Sequence, residues 1–159
     1  MKYFKLLALA ITLTSLSEAA MAITANASAR VLSPISVSES ATLRFGSFIS
    51  GGTSGTINQA GTTTGGVTAV TSTRGAASFS VTGDTNATGY TFTLPATATL
   101  TNGTPAQDMT ATLSFASGTS SRTLTTGADT VTINGSLAVA ANQAAALYTG
   151  TYTVTVAYN

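Results

Sequence analysis

The sequence predicts an all-β protein, an immunoglobulin-like β-sandwich, and three observations carry that expectation. Apolar and polar residues alternate over many short runs, as they do in strands with one buried face. Gly, Pro and Asn-Gly signals punctuate those runs at the spacing of short strands joined by turns. Thr fills 31 of the positions from 23 to 159. It is β-branched and favours strands, while its hydroxyl tolerates water. Seven or more strands are expected, and a small barrel is the second choice of architecture.

The chain opens with an address. Lys2 and Lys5 are basic, Phe4 to Leu13 is a short apolar run, and Ala20-Met21-Ala22 suits a signal peptidase. Residues 1–22 are therefore expected to be a secretory signal peptide, since the run is too short to span a bilayer. Residues 23–38 form an N-terminal extension, in which Ile23, Ala25, Ala27, Ala29 and Val31 alternate with Thr24, Asn26, Ser28 and Arg30 until Pro34. The sandwich is expected over residues 39–159.

Within it, Leu43 and Phe45 place a strand over 43–48. A Gly/Thr/Ser-rich stretch follows from Gly51 to Gly75, with short strands at Thr56–Asn58 and Val67–Val70. Ala77, Phe79 and Val81 alternate up to a turn at Gly83-Asp84, and Tyr90, Phe92 and Leu94 alternate up to Pro95, which cannot donate to a central ladder. Ala96, Ala98 and Leu100 lead to a turn at Asn102-Gly103, and Met109, Ala111, Leu113 and Phe115 give the next strand. Val131 and Ile133 precede Asn134-Gly135, and Leu137 and Val139 follow it. That dipeptide predicts a type I′ hairpin. Ala140 to Leu147 is too short for a stable helix and reads as a loop or a single turn. Tyr152, Val154, Val156 and Tyr158 alternate to the end.

Composition narrows the function. From residue 23 onward the charges are Arg30, Arg44, Arg74 and Arg122 against Glu39, Asp84, Asp108 and Asp129. The net charge is zero and there is no basic patch, so nucleic acid is not an expected partner. So neutral a surface gives little protection against self-association, which is no handicap for a subunit of a polymer. The sequence has no His and no Cys, which removes Ser-His-Asp and Cys-His catalysis and any thiolate or imidazole metal site. Asp84 and Asp129 read as turn residues bonded to nearby backbone. Carboxylates this few and scattered suit neither glycosidase chemistry nor a Ca2+ cage. Asn26, Asn86, Asn102 and Asn134 sit in Asn-x-Ser/Thr triplets, which are expected by composition and are assigned no glycan. No enzyme activity, cofactor or metal is expected. No run after the signal peptide is apolar enough to cross a membrane as a helix, and the strands are too short and too poor in aromatic residues for an outer-membrane barrel. An integral membrane protein is not expected.

The two ends carry the functional signal. An edge strand offers unpaired N–H and C=O groups to another chain, and an alternating segment of one subunit can complete the sandwich of another. Ile23, Ala25, Ala27, Ala29 and Val31 are the candidate donor strand. Whether that segment pairs within its own domain or with a neighbour is not given by alternation alone.

The signal peptide, the alternating N-terminal segment, Leu43-x-Phe45-Gly46, Phe79-Ser-Val81-Thr-Gly83, Tyr90 to Pro95 and the closing Tyr148-Thr-Gly150 to Tyr158 together resemble short secreted bacterial proteins of an uncharacterised domain-of-unknown-function family. That family is similar to chaperone–usher pilins and spore-coat-U type fimbrial subunits. The resemblance implies an incomplete immunoglobulin-like fold completed by a donated strand. It implies a periplasmic chaperone and an outer-membrane usher as partners, and export through the periplasm to the cell surface or extracellular space. In pilins the penultimate Tyr and the alternating C-terminal strand contact the chaperone; Tyr152, Val154, Val156 and Tyr158 match that pattern. Two functions are therefore expected. The first is a non-enzymatic structural subunit of a surface fibre (pilus or fimbria), polymerising by donor-strand exchange of its N-terminal segment. The alternative is a self-contained secreted binding module, an adhesin or matrix protein, with Gly51–Gly75 as its binding loop.

Overall fold

The computed structural model describes residues 21–86 and 89–159, so all but Met21 and Ala22 of the expected signal peptide lie outside the described residues. The chain divides into two units, one up to Arg30 and one from Val31 to Asn159. In the first, residues 21–30 are exposed and carry no strand.

The second unit is an all-β sandwich of eleven described strands: β1 (Ser36–Ala41), β2 (Phe48–Ser50), β3 (Gly55–Asn58), β4 (Val67–Ala69), β5 (Ala77–Thr82), β6 (Gly89–Thr93), β7 (Thr97–Leu100), β8 (Met109–Phe115), β9 (Ser121–Thr123), β10 (Ala128–Val139) and β11 (Thr155–Tyr158). One sheet runs β1-β5-β10-β8-β7, with β3 also paired to β10. A three-stranded sheet, β11-β6-β9, forms the second layer, and β2 and β4 make a small separate ribbon. All pairings between strands are antiparallel.

Period-two alternation builds the core. Ala77, Phe79 and Val81 of β5, Met109, Ala111 and Leu113 of β8, and Tyr90 and Phe92 of β6 are all buried. The intervening residues are Ser and Thr on the outer faces of these strands. Aromatic rings join the layers: Phe79 meets Phe92 at 5.7 Å between centroids, and Phe92 and Phe115 form a T-shaped pair at 5.9 Å. Tilted and edge-on pairs of this kind add to the area they bury.

The hairpin expected at Asn134-Gly135 does not form. Residues 128–139 are a single twelve-residue strand. Along one edge β10 pairs with β5 through Ile133, then with β3 from Ser136 onward, while β8 holds the other edge. Gly135 sits where β5 hands over to β3. Its N–H donates to the Gln59 side-chain oxygen at 3.0 Å, and its carbonyl accepts the Gln59 N–H at 3.3 Å. A Cβ on Gly135 would stand 2.9 Å from both Leu43 Cδ2 and Phe45 Cζ. The glycine is there to admit those side chains to the core, not to turn the chain.

Other elements lie close to their expected places. Residues 43–47 form no continuous strand; Arg44 makes an isolated bridge to Gly75, and the strand begins at Phe48. Gly103 turns at φ +89°, and the Thr104 N–H donates to the Asn102 side chain at 2.9 Å. Residues 140–147 are turns, held through the Tyr148 hydroxyl, which accepts from Gln143 Nε2 at 2.9 Å and donates to the Ala144 carbonyl at 3.0 Å. Among the described residues, no helix is long and apolar enough to cross a membrane.

Candidate functional site

The sandwich leaves two strand edges facing each other. β1 ends one sheet and β11 ends the other. They approach within 8 Å between Cα atoms, yet no pairing between them occurs among the described residues. The two edges make a seam. Its walls follow from alternation: from Thr151 to Asn159 every odd-numbered residue is exposed, while Tyr152, Val154, Val156 and Tyr158 are half-buried against the core. Val37 of β1 and Ile35 just before it are half-buried in the same way. These apolar side chains are neither fully covered nor free in water.

β11 itself is shorter than the alternation suggests. Only Thr155–Tyr158 pair with β6, in the register Thr155–Thr93 to Tyr158–Tyr90. Tyr152 and Val154 precede the strand but keep its phase. The chain is set into this path by Gly150, which lies against β7: a Cβ there would come 2.1 Å from the Thr99 carbonyl oxygen. Thr149 exchanges both backbone hydrogen bonds with Thr101, at 2.8 and 3.0 Å.

One end of the seam is fastened by Tyr158. Its hydroxyl donates to the Ser33 carbonyl at 2.8 Å and accepts the Asp84 N–H at 2.7 Å. Asp84 is buried. Its carboxylate takes the Asn86 N–H at 3.0 Å, the local bond expected of a turn residue, and the Ser33 N–H at 3.5 Å. Gly83 makes the approach possible, because a Cβ there would lie 2.3 Å from the Tyr158 hydroxyl. Sequence reasoning found Tyr158 but not its partners. Gly83-Asp84 reads as a turn, and nothing local links it to Ser33, 51 residues away.

The other end holds Tyr152. Its ring meets Phe79 edge-on at 6.3 Å. Its hydroxyl oxygen is buried and has no hydrogen-bond partner. Burial, and then the negative charge of Glu39 on β1, raises the Tyr152 pKa above the ordinary phenol value. An unsatisfied buried hydroxyl costs about 1–3 kcal/mol.

The remaining predicted residues are placed as follows. Ile23, Ala25, Ala27 and Ala29 are exposed and outside any strand, as is Val31 at the start of the second unit. Ser36–Ser38, assigned by sequence to the extension, pair with Thr82–Ser80 of β5. Asp129 is not in a turn. It lies in β10, where its carboxylate takes Arg122 Nε at 2.6 Å, Arg122 Nη2 at 3.1 Å and the Tyr90 hydroxyl at 2.7 Å. Burial pulls the Asp129 pKa up, but bonds from Arg122, Tyr90 and the Thr130 N–H outweigh it and hold it below the usual value. Burial, reinforced by Asp129, pushes Tyr90 up to about 12. The cluster ties β6 and β9 to β10. Gly51–Gly75 holds the two short strands expected of it, β3 and β4, and Arg74 ties its end back to the carbonyls of Phe45, Ser47 and Val70.

Two surface depressions lie close to these segments. One, of about 570 Å³, runs beside β7 and is lined by Thr97, Thr99, Thr101 and Tyr152. The other, of about 640 Å³, lies under residues 143–148 and is lined by Phe45, Phe48, Met109 and Leu147. Among the described residues, no three His, Cys, Asp or Glu side chains gather where a metal could sit.

No curated protein and no solved structure matches the chain. A family model, the domain of unknown function DUF4402, matches residues 35–158. The match runs from the residue before β1 to the tyrosine that closes the seam, and so takes in both of its walls; the chain belongs to this family.

Proposed function

We propose that this chain is a non-enzymatic structural subunit of a surface fibre, which joins copies by laying residues 23–31 of one into the seam between β1 and β11 of the next. The observation that carries the reading is the seam itself: two facing strand edges, unpaired, over half-buried Val37, Tyr152, Val154 and Val156. An added strand would satisfy the backbone groups of β11 and cover those side chains together. The donor has the matching pattern, because Ile23, Ala25, Ala27, Ala29 and Val31 place apolar groups on one face of an extended segment. A periplasmic chaperone that lends a strand to the same seam, and an outer-membrane usher, complete the reading, with Tyr152, Val154, Val156 and Tyr158 as the strand the chaperone handles.

The seam is narrow. Two strand spacings of about 4.8 Å must separate strands that hold a third between them, and β1 and β11 approach within 8 Å. Insertion therefore includes a small outward movement of β11.

The test is deletion of residues 23–32, which spares Ser33 and all of β1. Surface-sheared material is run unboiled on a detergent gel. Wild type is expected to give a ladder, and the deletion a soluble monomer. A ladder that survives the deletion would sink the proposal.

The second reading, a closed binding module, draws support from the apolar depression near residues 143–148. Ile49 and Leu147 stand 60% and 83% exposed on its rim. A single monomer band from wild-type material would favour it.

A further inference from the structure

The Tyr152 hydroxyl is the one buried side-chain polar atom among the described residues with no partner. Groups of this kind are costly and rare, and each calls for an explanation. The location supplies one. Tyr152 belongs to the wall of the seam contributed by the C-terminal segment, its ring rests on Phe79 of β5, and its hydroxyl feels the charge of Glu39 on β1. The side chain therefore reaches from the β11 side toward the β1 side, across the path an inserted strand would take.

Size and chemistry then restrict what can lie there. Phe79 already packs against both Phe92 and Tyr152, which favours a small side chain over a large one beside them. The central inward positions of the N-terminal segment are Ala25, Ala27 and Ala29, the smallest side chains that still cover apolar surface. None of its inward residues, Ile23 and Val31 included, carries a side-chain oxygen. The acceptor for Tyr152 must then come from the backbone of the inserted segment.

We infer that the Tyr152 hydroxyl is a register-setting donor, satisfied by a backbone carbonyl of the alanine-rich N-terminal strand of a second copy. The inference rests on the strand-donation reading. A backbone carbonyl offers itself in any sequence, but it can come within reach only where the facing side chain is small. Tyr152 thus selects alanine at the crossing point over the larger Ile23 and Val31, which sets the register of the strand.

The experiment compares the full-length secreted protein with its Tyr152→Phe variant. The probe is a fluorescently labelled peptide of residues 23–33, and its binding is read by anisotropy on freshly refolded, dilute monomer. Thermal unfolding of each monomer is followed alongside. The variant keeps the ring and loses only the hydroxyl. It is expected to bind the peptide about five- to tenfold more weakly, the loss of one neutral hydrogen bond. Its own unfolding midpoint should stay the same or rise, because an unsatisfied group has gone. A structural role for the hydroxyl would instead lower the midpoint, and that result overturns the inference. Equal or tighter peptide binding by the variant also overturns it while leaving strand donation intact. Failure of the wild-type protein to bind the peptide overturns both.

Discussion

Tyr158 and Ser33 stand 125 positions apart in the chain and are joined by a single hydrogen bond, from the Tyr158 hydroxyl to the Ser33 carbonyl at 2.8 Å. The same oxygen accepts the Asp84 N–H. Three distant segments thus meet at one phenol: the lead into β1, the turn after β5 and the end of β11. β1 and β11 share no ladder, so this clasp is a direct tie between the two edges of the seam. It fixes the position from which the chain enters the sandwich.

Replacing Tyr158 with Phe keeps the ring and removes the clasp. The Asp84 N–H loses a partner in a half-buried place, while the exposed Ser33 carbonyl turns to water. Leaving such an N–H unpaired costs about 1–3 kcal/mol. Urea unfolding of the Tyr158→Phe variant should show a lower midpoint with an unchanged slope, and limited proteolysis should cut sooner near residue 33. An unaltered midpoint would mean that water replaces both bonds at no cost.

Gly135 offers a second measurement. Its backbone is not among those with positive φ, so alanine there meets no backbone strain. The cost is contact, with Leu43 Cδ2 and Phe45 Cζ both 2.9 Å from the new Cβ. Overpacking of this kind costs about 1–3 kcal/mol. Trimming Leu43 to Ala should return part of that loss in a double-mutant cycle. Additive losses from Gly135→Ala and Leu43→Ala would show that the two sites do not meet.

That glycine also shows how much of the fold was legible. Asn-Gly between two apolar runs is a strong turn signal, yet the phase of the alternation argued against a turn. Val131, Ile133, Gly135, Leu137 and Val139 are all buried, without a break in period. A two-residue hairpin pairs 133 with 136 on one face and would turn Leu137 to the other. Strands β3 to β8 and the half-buried face of residues 152–158 could be read because burial imposes a period on the chain. The Tyr158 clasp and the Arg122–Asp129–Tyr90 cluster could not. Each joins polar residues whose partners are chosen by the packing of the sheets, and local sequence carries no trace of that choice.

Tyr90 predicts the behaviour of the protein in alkali. Its pKa is pushed from an ordinary value of 10.0 up to about 12, first by burial and then by the hydrogen bond to Asp129. In the unfolded chain the phenol ionises near the ordinary value, while in the folded chain it stays protonated. The stabilisation is whole below about pH 10 and fades as pH rises toward 12. Unfolding free energy measured across that window should fall, and Tyr90→Phe should make the fall less steep. The raised Tyr152 pKa acts in the same direction, so some slope should remain. An unchanged slope in Tyr90→Phe would place the alkaline sensitivity elsewhere.

Gly150 decides whether the C-terminal segment reaches the seam at all. The Cβ of an alanine there would stand 2.1 Å from the Thr99 carbonyl oxygen and 3.2 Å from Leu100 Cα. Both obstacles are backbone of β7, which cannot swing aside as a side chain can. Room could come only from lifting residues 149–151 away, which would strain or break the paired hydrogen bonds between Thr149 and Thr101. Tyr152 and Val154 follow directly and would lose their seats against the core. Gly150→Ala should therefore cost about 3 kcal/mol or more, the combined effect of overpacking and lost backbone bonds. Gly52 is the control, since a Cβ there meets nothing within 4 Å. Gly52→Ala should leave stability unchanged or raise it by up to about 1 kcal/mol through the unfolded state. Chemical denaturation of the two variants side by side separates the close approach from any general need for glycine. Equal and small effects would show that the Thr149–Thr101 contact yields easily and that the seam's wall is not set by Gly150.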